Sequence, residues 1–204
     1  MTHLRKEQRV IPHQPNNMIS DVLFFNNNDN LIRLSAPLQP DSVVDGPGIR
    51  SVVWTQGCIH NCPECHNPHT HSFSAGYDYQ IDILCDEIKS NGFNITLSGG
   101  DPFLQPIQCM KVAQYAKSIG LNVWAYSGFR FEDLVQNEQT KNLLNCIDVL
   151  VDGKFEIANK SLECKFRGST NQRLVDVQKS LKAGCVIEWV DPMELIIRNR
   201  SELF

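Results

Sequence analysis

Long apolar runs are missing from this 204-residue sequence. None approaches the roughly 18 residues needed to cross a bilayer, and the first residues lack the basic-then-apolar layout of a secretion signal. Both absences argue against a membrane role and for the cytoplasm. Charge of one sign is also scarce. Lys and Arg total 19 against 23 Asp and Glu, a net charge of -4 with no single-sign block, which does not make a nucleic-acid-binding surface. Nor is there a convincing nucleophile, triad or pair of carboxylates, so acid–base hydrolysis by side chains is not expected. The eight cysteines would suggest bridges in a small secreted chain. With this length and no export signal they read as reduced thiols.

What is present fits one domain large enough to bury a core without staples. Residues 1–30 differ in texture: Pro12, Pro15 and the polar stretch Asn26 to Asn30 give little periodicity, so a weakly ordered extension is expected there. Within it, Val22 to Phe25 is a short apolar run whose role is open. From Leu31 to the end, residues 31–204 read as a single domain of α/β class. Its strand candidates are Ser51 to Gln56, Asn94 to Leu97, Leu121 to Tyr126, Ile147 to Val151 and Val186 to Val190. Between them, Ile81, Leu84 and Ile88 share one helical face, and Ile107, Met110, Ala113 and Ala116 another. A third helical segment from Phe131 to Leu144 is expected to break near Asn137. Gly92 and Gly120 stand where a helix ends in a left-handed residue before the next strand. Alternating strands and helices predict a parallel sheet with crossover helices, drawn here as an open partial (β/α) barrel.

Directly after the first of these strand candidates comes Cys58-Ile59-His60-Asn61-Cys62-Pro63-Glu64-Cys65-His66-Asn67. Three thiolates can converge on one site, and soft sulfur ligands suit iron–sulfur clusters, zinc or monovalent copper. Iron–sulfur cubes usually take four cysteines, so a cube held by three leaves one iron without a protein ligand. S-adenosylmethionine carries an amino and a carboxylate group that can chelate such an iron together. The competing reading is a zinc site, because His60, His66, His69 and His71 crowd the same loop and three cysteines with one histidine form a common tetrahedral set. Structural zinc more often draws its ligands from two knuckles, whereas these cysteines share one loop. Cys85 and Cys109, in helical segments, and Cys146, just before a strand, read as small apolar core residues. Cys164 and Cys185 are unassigned.

The cysteine spacing resembles that of the radical S-adenosylmethionine superfamily, and Asp45-Gly46-Pro47-Gly48-Ile49-Arg50 is similar to a segment of glycyl-radical-enzyme activases. Read from the residues alone, Gly46 to Gly48 is only a permissive turn. The stretch Leu97-Ser98-Gly99-Gly100-Asp101-Pro102 ends a strand with two glycines that let a ligand approach backbone groups. By resemblance, Gly99, Gly100 and Asp101 form the loop that receives the methionyl ammonium, and Glu64, Cys65 and His66 lie against the adenine. The ligands of one [4Fe-4S] cluster are then Cys58, Cys62 and Cys65. Asp152 and Lys154, at the end of another strand, resemble an Asp-x-Lys pair of related activases. There Lys154 would meet the cofactor carboxylate as a point charge, and Asp152 would orient or bind a cation. His60, His69 and His71 are read as ordinary loop side chains.

The stretch Phe166 to Arg173, followed by Asp176 to Leu181, is similar to the activating-protein family of the anaerobic ribonucleoside-triphosphate reductase, and the match runs in order from Leu31 to Leu181. The resemblance implies a protein substrate, the large reductase subunit, one glycine of which loses an α-hydrogen to a 5′-deoxyadenosyl radical and becomes a glycyl radical. It also implies a flavodoxin or ferredoxin as electron donor, because no second cysteine-rich insertion accompanies the first. Arg167 and Arg173 are given no step. An activase of pyruvate formate-lyase is the nearest rival; Asp101 and the Arg167 to Arg173 segment count against it. A small radical enzyme making a deazapurine precursor leaves the Asp45 to Arg50 segment unexplained. From another class comes a non-catalytic, zinc-stabilised binding module. The long N-terminal extension and the tail after Gly184 depart from the family and are candidates for partner contact.

Overall fold

Arg50–Thr55 (β3), Asn94–Gly99 (β5), Val123–Ser127 (β6) and Val149–Asp152 (β7) lie side by side and parallel, in that order. These four strands carry four of the five runs marked by their apolar and β-branched residues, each displaced by no more than two residues. The computed structural model describes residues 28–192, so most of the expected N-terminal extension, the Val22 to Phe25 run and the last residues of the tail lie outside the described residues. Antiparallel strands complete the sheet: Leu31–Leu34 (β1), Gln39–Ser42 (β2) and Tyr77–Gln80 (β4) on one side, Arg173–Asp176 (β8) on the other. The strand order is β4-β1-β3-β5-β6-β7-β8, with β2 also on β3. The path never returns to its first strand, so this is an open, mixed eight-stranded sheet and not a closed barrel.

The Val186 to Val190 run does not form the fifth expected strand. It touches β8 through one bridge, Val175 to Glu188, flanked by the Asp176 N–H on the Ile187 carbonyl at 2.9 Å and the Trp189 N–H on the Leu174 carbonyl at 2.7 Å. The Ile187 N–H is diverted to the Ser180 hydroxyl at 2.8 Å, which ends the ladder after one rung. Pairing antiparallel to β7, β8 takes the edge instead.

The helices Ile81–Asn91 (α1), Pro106–Ser118 (α2), Phe131–Leu134 (α3) and Glu138–Leu144 (α4) connect the parallel strands, and Val177–Ala183 (α5) follows β8. In α1 the buried positions are Ile81, Leu84, Cys85 and Ile88, the face its spacing predicts. In α2 the buried face centres on Cys109, Val112, Ala113 and Ala116, with Ile107 and Met110 only half-buried; the helix is rotated by about one position from the expected face. The break near Asn137 is a cap, its Oδ1 accepting from the amides of Gln139 and Thr140 at 2.9 and 3.2 Å. α1, α2 and α4 pack with one face of the sheet into the main core, which includes Ile95, Leu97, Leu143 and Leu150. A smaller aromatic cluster of Trp124, Phe166 and Trp189 with Val149 and Val151 covers the other face.

On that second face the Asp45 to Arg50 segment finds its place. Arg50 is buried, its Nε donating to Thr96 Oγ1 at 2.7 Å and its guanidinium lying 5.4 Å from the Trp124 ring centre. A Cβ on Gly46 would stand 2.7 Å from the Arg50 chain, so glycine is what lets the turn close over the arginine. All four parallel strands end on the same edge, where open α/β sheets bind ligands. Among the described residues no helix is long and apolar enough to cross a membrane.

Candidate iron–sulfur site

The loop leaving β3 carries Cys58, Cys62 and Cys65 and closes on itself. The Gly57 and Cys58 amides donate to the Thr70 and His71 carbonyls at 2.8 and 3.1 Å, and the Thr70 hydroxyl donates to the Asn67 carbonyl at 2.7 Å. Asn61 (φ 45°) and Glu64 (φ 54°) adopt left-handed backbone, two tight reversals that bring the three thiols to one wall. There they line a cavity of about 150 Å³, shared with Gly99, Gly100, Gly128, Gly153 and Phe155 from the ends of β5, β6 and β7.

The wall is short of positive charge. Burial, and after it the nearby Asp101, pushes the Cys58 thiol up to about 12, and burial raises Cys62 as well. Against this act backbone donors: the His60 amide on Cys58, the Phe155 amide on Cys62, and the Asn67 amide on Cys65 Sγ at 3.4 Å. Such thiols stay protonated until a metal displaces the protons. The buried Nε2 of His71, on the same cavity, has no protein partner. Three soft ligands in one loop, each with an N–H directed at its sulfur, suit an iron–sulfur cluster. Among the described residues no three His, Cys, Asp or Glu side chains close on a point as ligands of a single ion.

Each residue singled out in the sequence has a definite place. Gly99 (φ +103°) and Gly100 both line the cavity, and both also allow chain crossing: a Cβ would stand 2.4 Å from the Thr55 carbonyl oxygen at Gly99 and 2.2 Å from that of Gly57 at Gly100. Asp101 is buried, its carboxylate accepting from the Phe103 amide at 3.0 Å, the Gly128 amide at 2.9 Å and the Ser127 hydroxyl at 2.9 Å, and facing His60 Nε2 at 2.8 Å. His66 is exposed, with its ring centre 5.0 Å from that of Phe155, and Glu64 is exposed at its turn. Asp152 is buried and accepts from the Phe131 amide at 2.8 Å and from Arg173 Nε at 2.9 Å, with Arg130 at 3.5 Å. Lys154 is exposed and touches the site electrically, favouring the thiolate of Cys62.

Two placements go beyond the sequence reading. Arg173 is no ordinary surface charge, because it bridges Asp152 and Glu132. His60 is not an ordinary loop histidine: its ring is buried against Phe129, 4.5 Å between centres at 73°. No spacing rule links His60 to Asp101 or to Ser127. Only their common position at strand ends could have hinted at it. All eight cysteines are free, Cys85 and Cys109 in the core and Cys185 exposed.

Residues 44–175 match the family model of a 4Fe-4S single cluster domain. A protein of Vibrio cholerae serotype O1 is 37% identical over 148 residues, 65% of this chain and 91% of its own length. One of Escherichia coli strain K12 is 34% identical over 146 residues, 65% and 92% respectively. One of enterobacteria phage T4 is 33% identical over 148 residues, 67% and 90%. Each of the three is an anaerobic ribonucleoside-triphosphate reductase-activating protein.

Proposed function

We propose that this chain, which belongs to the family of anaerobic ribonucleoside-triphosphate reductase-activating proteins and to the 4Fe-4S single cluster domains, activates such a reductase by radical S-adenosylmethionine chemistry. The observation that carries the reading is the set of three thiols facing the Gly99-Gly100 loop across one cavity at the carboxyl ends of the parallel strands. In this reading Cys58, Cys62 and Cys65 would hold a [4Fe-4S] cluster with one iron uncapped, the open sheet is a partial (β/α) barrel, and residues 31–204 belong to one domain. A cluster held by Cys58, Cys62 and Cys65 would supply low-potential one-electron chemistry for reductive cleavage of S-adenosylmethionine, through which a reductase glycine would lose its α-hydrogen.

The protein's own residues position, cover and insulate. Gly99 and Gly100 offer backbone at close range to the methionyl group, and Asp101 fixes the turn they form. Glu64, Cys65 and His66 lie on the adenine side, where the His66 and Phe155 rings form a lid-like pair. Lys154 supplies positive charge for the cosubstrate carboxylate, while Asp152, engaged by Arg130 and Arg173, orders the strand end from below. A flavodoxin or ferredoxin delivers the electron, since the single cysteine loop leaves no internal relay, and the cytoplasm is the working compartment.

The test is direct. Anaerobically prepared protein should contain iron and sulfide and release 5′-deoxyadenosine when reduced with S-adenosylmethionine. Mixed with the anaerobic reductase it should give a glycyl doublet in electron spin resonance, and with pyruvate formate-lyase none. Colourless protein with stoichiometric zinc would overturn the reading, and a doublet with pyruvate formate-lyase alone would reassign the partner.

A further inference from the structure

His60 lies between two ligand cysteines in sequence and borders the same cavity, yet its side chain is buried against Phe129 and Asp101. Its side chain is 5% exposed and that of Asp101 1%, with 2.8 Å between Nε2 and Oδ2. Gly128 leaves the room the ring needs, for a Cβ there would stand 2.3 Å from it. The other donors to Asp101 come from Phe103, in the helical turn that follows β5, and from Ser127 and Gly128 at the end of β6. The carboxylate is therefore anchored to the sheet on every side but one, and on that side it grips the cysteine loop. Next to His60 stands Asn61 in a left-handed conformation, a backbone that asparagine adopts more readily than most L-residues and that reverses the chain between Cys58 and Cys62.

We propose that Asp101 is a positioning residue for the cluster, acting through His60: the carboxylate fixes the imidazole, the imidazole fixes the turn from Cys58 to Cys62, and the turn fixes the separation of two ligand sulfurs and the amide directed at the first. The inference rests on Cys58, Cys62 and Cys65 being the cluster ligands. Partners one shell out from a metal hold its ligands in register, and their removal typically weakens metal retention 10–100-fold. Hydrogen bonds to cluster sulfurs also tune the electronic state of the iron.

The experiment uses holoprotein prepared anaerobically, without S-adenosylmethionine, and reads the rate of iron release to a ferrous chelator and the spin-resonance spectrum of the reduced cluster. His60→Leu keeps bulk against Phe129 and deletes the hydrogen bond; His60→Gln keeps an amide that reaches Asp101. The expected result is iron release roughly tenfold or more faster and an altered spectrum for His60→Leu, most of the difference being restored in His60→Gln. Asp101→Asn, alone, should move both readouts in the same direction, with a smaller effect in the His60→Leu background than in wild type because only its contacts with the sheet then remain to be lost. Wild-type release with an unchanged spectrum in His60→Leu would overturn the inference, as would independent, additive effects of the two substitutions. Should His60→Leu fail to fold, Asp101→Asn decides by the same two readouts. Wild-type protein without iron and sulfide removes the reading of the site itself, an outcome distinct from a loaded cluster indifferent to His60.

Discussion

At the scale of single residues, the end of β7 is organised by charge. Asp152 has no solvent and no freedom: the Phe131 amide and the guanidinium groups of Arg173 and Arg130 use its oxygens, and Arg173 carries the chain of charge outward to Glu132. Hydrogen bonding from Arg173 holds the Glu132 carboxyl below the usual range against its partial desolvation. A carboxyl lowered in the folded state contributes stability above the unfolded glutamate value, about 4.3, and loses it as pH falls through the lowered value. The unfolding free energy of wild type should thus exceed that of Glu132→Gln at about pH 6 and converge on it as the pH is taken below the lowered carboxyl value, as measured by denaturant titration. Glu132 is more than half exposed, so solvent screens the pair and the difference will be small. Asp152 could be marked from its place after an apolar run. Its partners could not, because Arg130 and Arg173 stand 22 and 21 residues away and meet it only in the folded sheet.

Among elements, α1 shows why some segments are legible in the chain text and others are not. Its apolar residues apart from the exposed Ile83 fall on one face, and Gly92 ends it in a left-handed conformation (φ 68°), the amide returning to the Ile88 carbonyl at 3.1 Å. No atom lies within 4 Å of a Cβ placed on Gly92, so Gly92→Ala isolates the backbone term. It should destabilise by about 1–2 kcal/mol, seen as a shifted unfolding midpoint with an unchanged denaturant slope and unchanged iron content. The face of α2 was harder to read, since small residues and Cys109 do the packing while the larger Ile107 and Met110 sit at its margin. The strands β1, β2 and β4 were invisible: four residues each, mixed in polarity, they exist because β3 and the sheet edge offer partners. Periodicity needs length to show, and four residues hold too little of it even where, as in β1, Ile32 and Leu34 are buried in alternation.

For the whole molecule, the core is complete without the cluster ligands, although Ile59 of the cysteine loop packs on it and His60 stands against Phe129. None of Cys58, Cys62 and Cys65 belongs to the buried hydrophobic set, which is built from strands, helices and the turns that join them. A domain of this size has enough core to fold without a metal. Iron removal should therefore leave the far-ultraviolet circular dichroism nearly unchanged while making the 58–71 loop a new site of proteolytic cleavage, and collapse of the circular dichroism on chelation would contradict this independence. The same independence explains what the chain text disclosed. Cysteine spacing is local and announces the site at once, and alternating elements announce the parallel centre. The network binding the loop to the sheet spans 41 residues from His60 to Asp101 and has no local signature.

The two outermost strands, β4 and β8, are four residues long. Arg33 pairs with Asp78 on the first, and the Glu188 bridge lies over the second. A margin so short, and charged or already overlaid, gives another copy of the chain little free backbone to zip onto. Crowded, freshly made molecules should consequently remain dispersed instead of growing into ordered fibres.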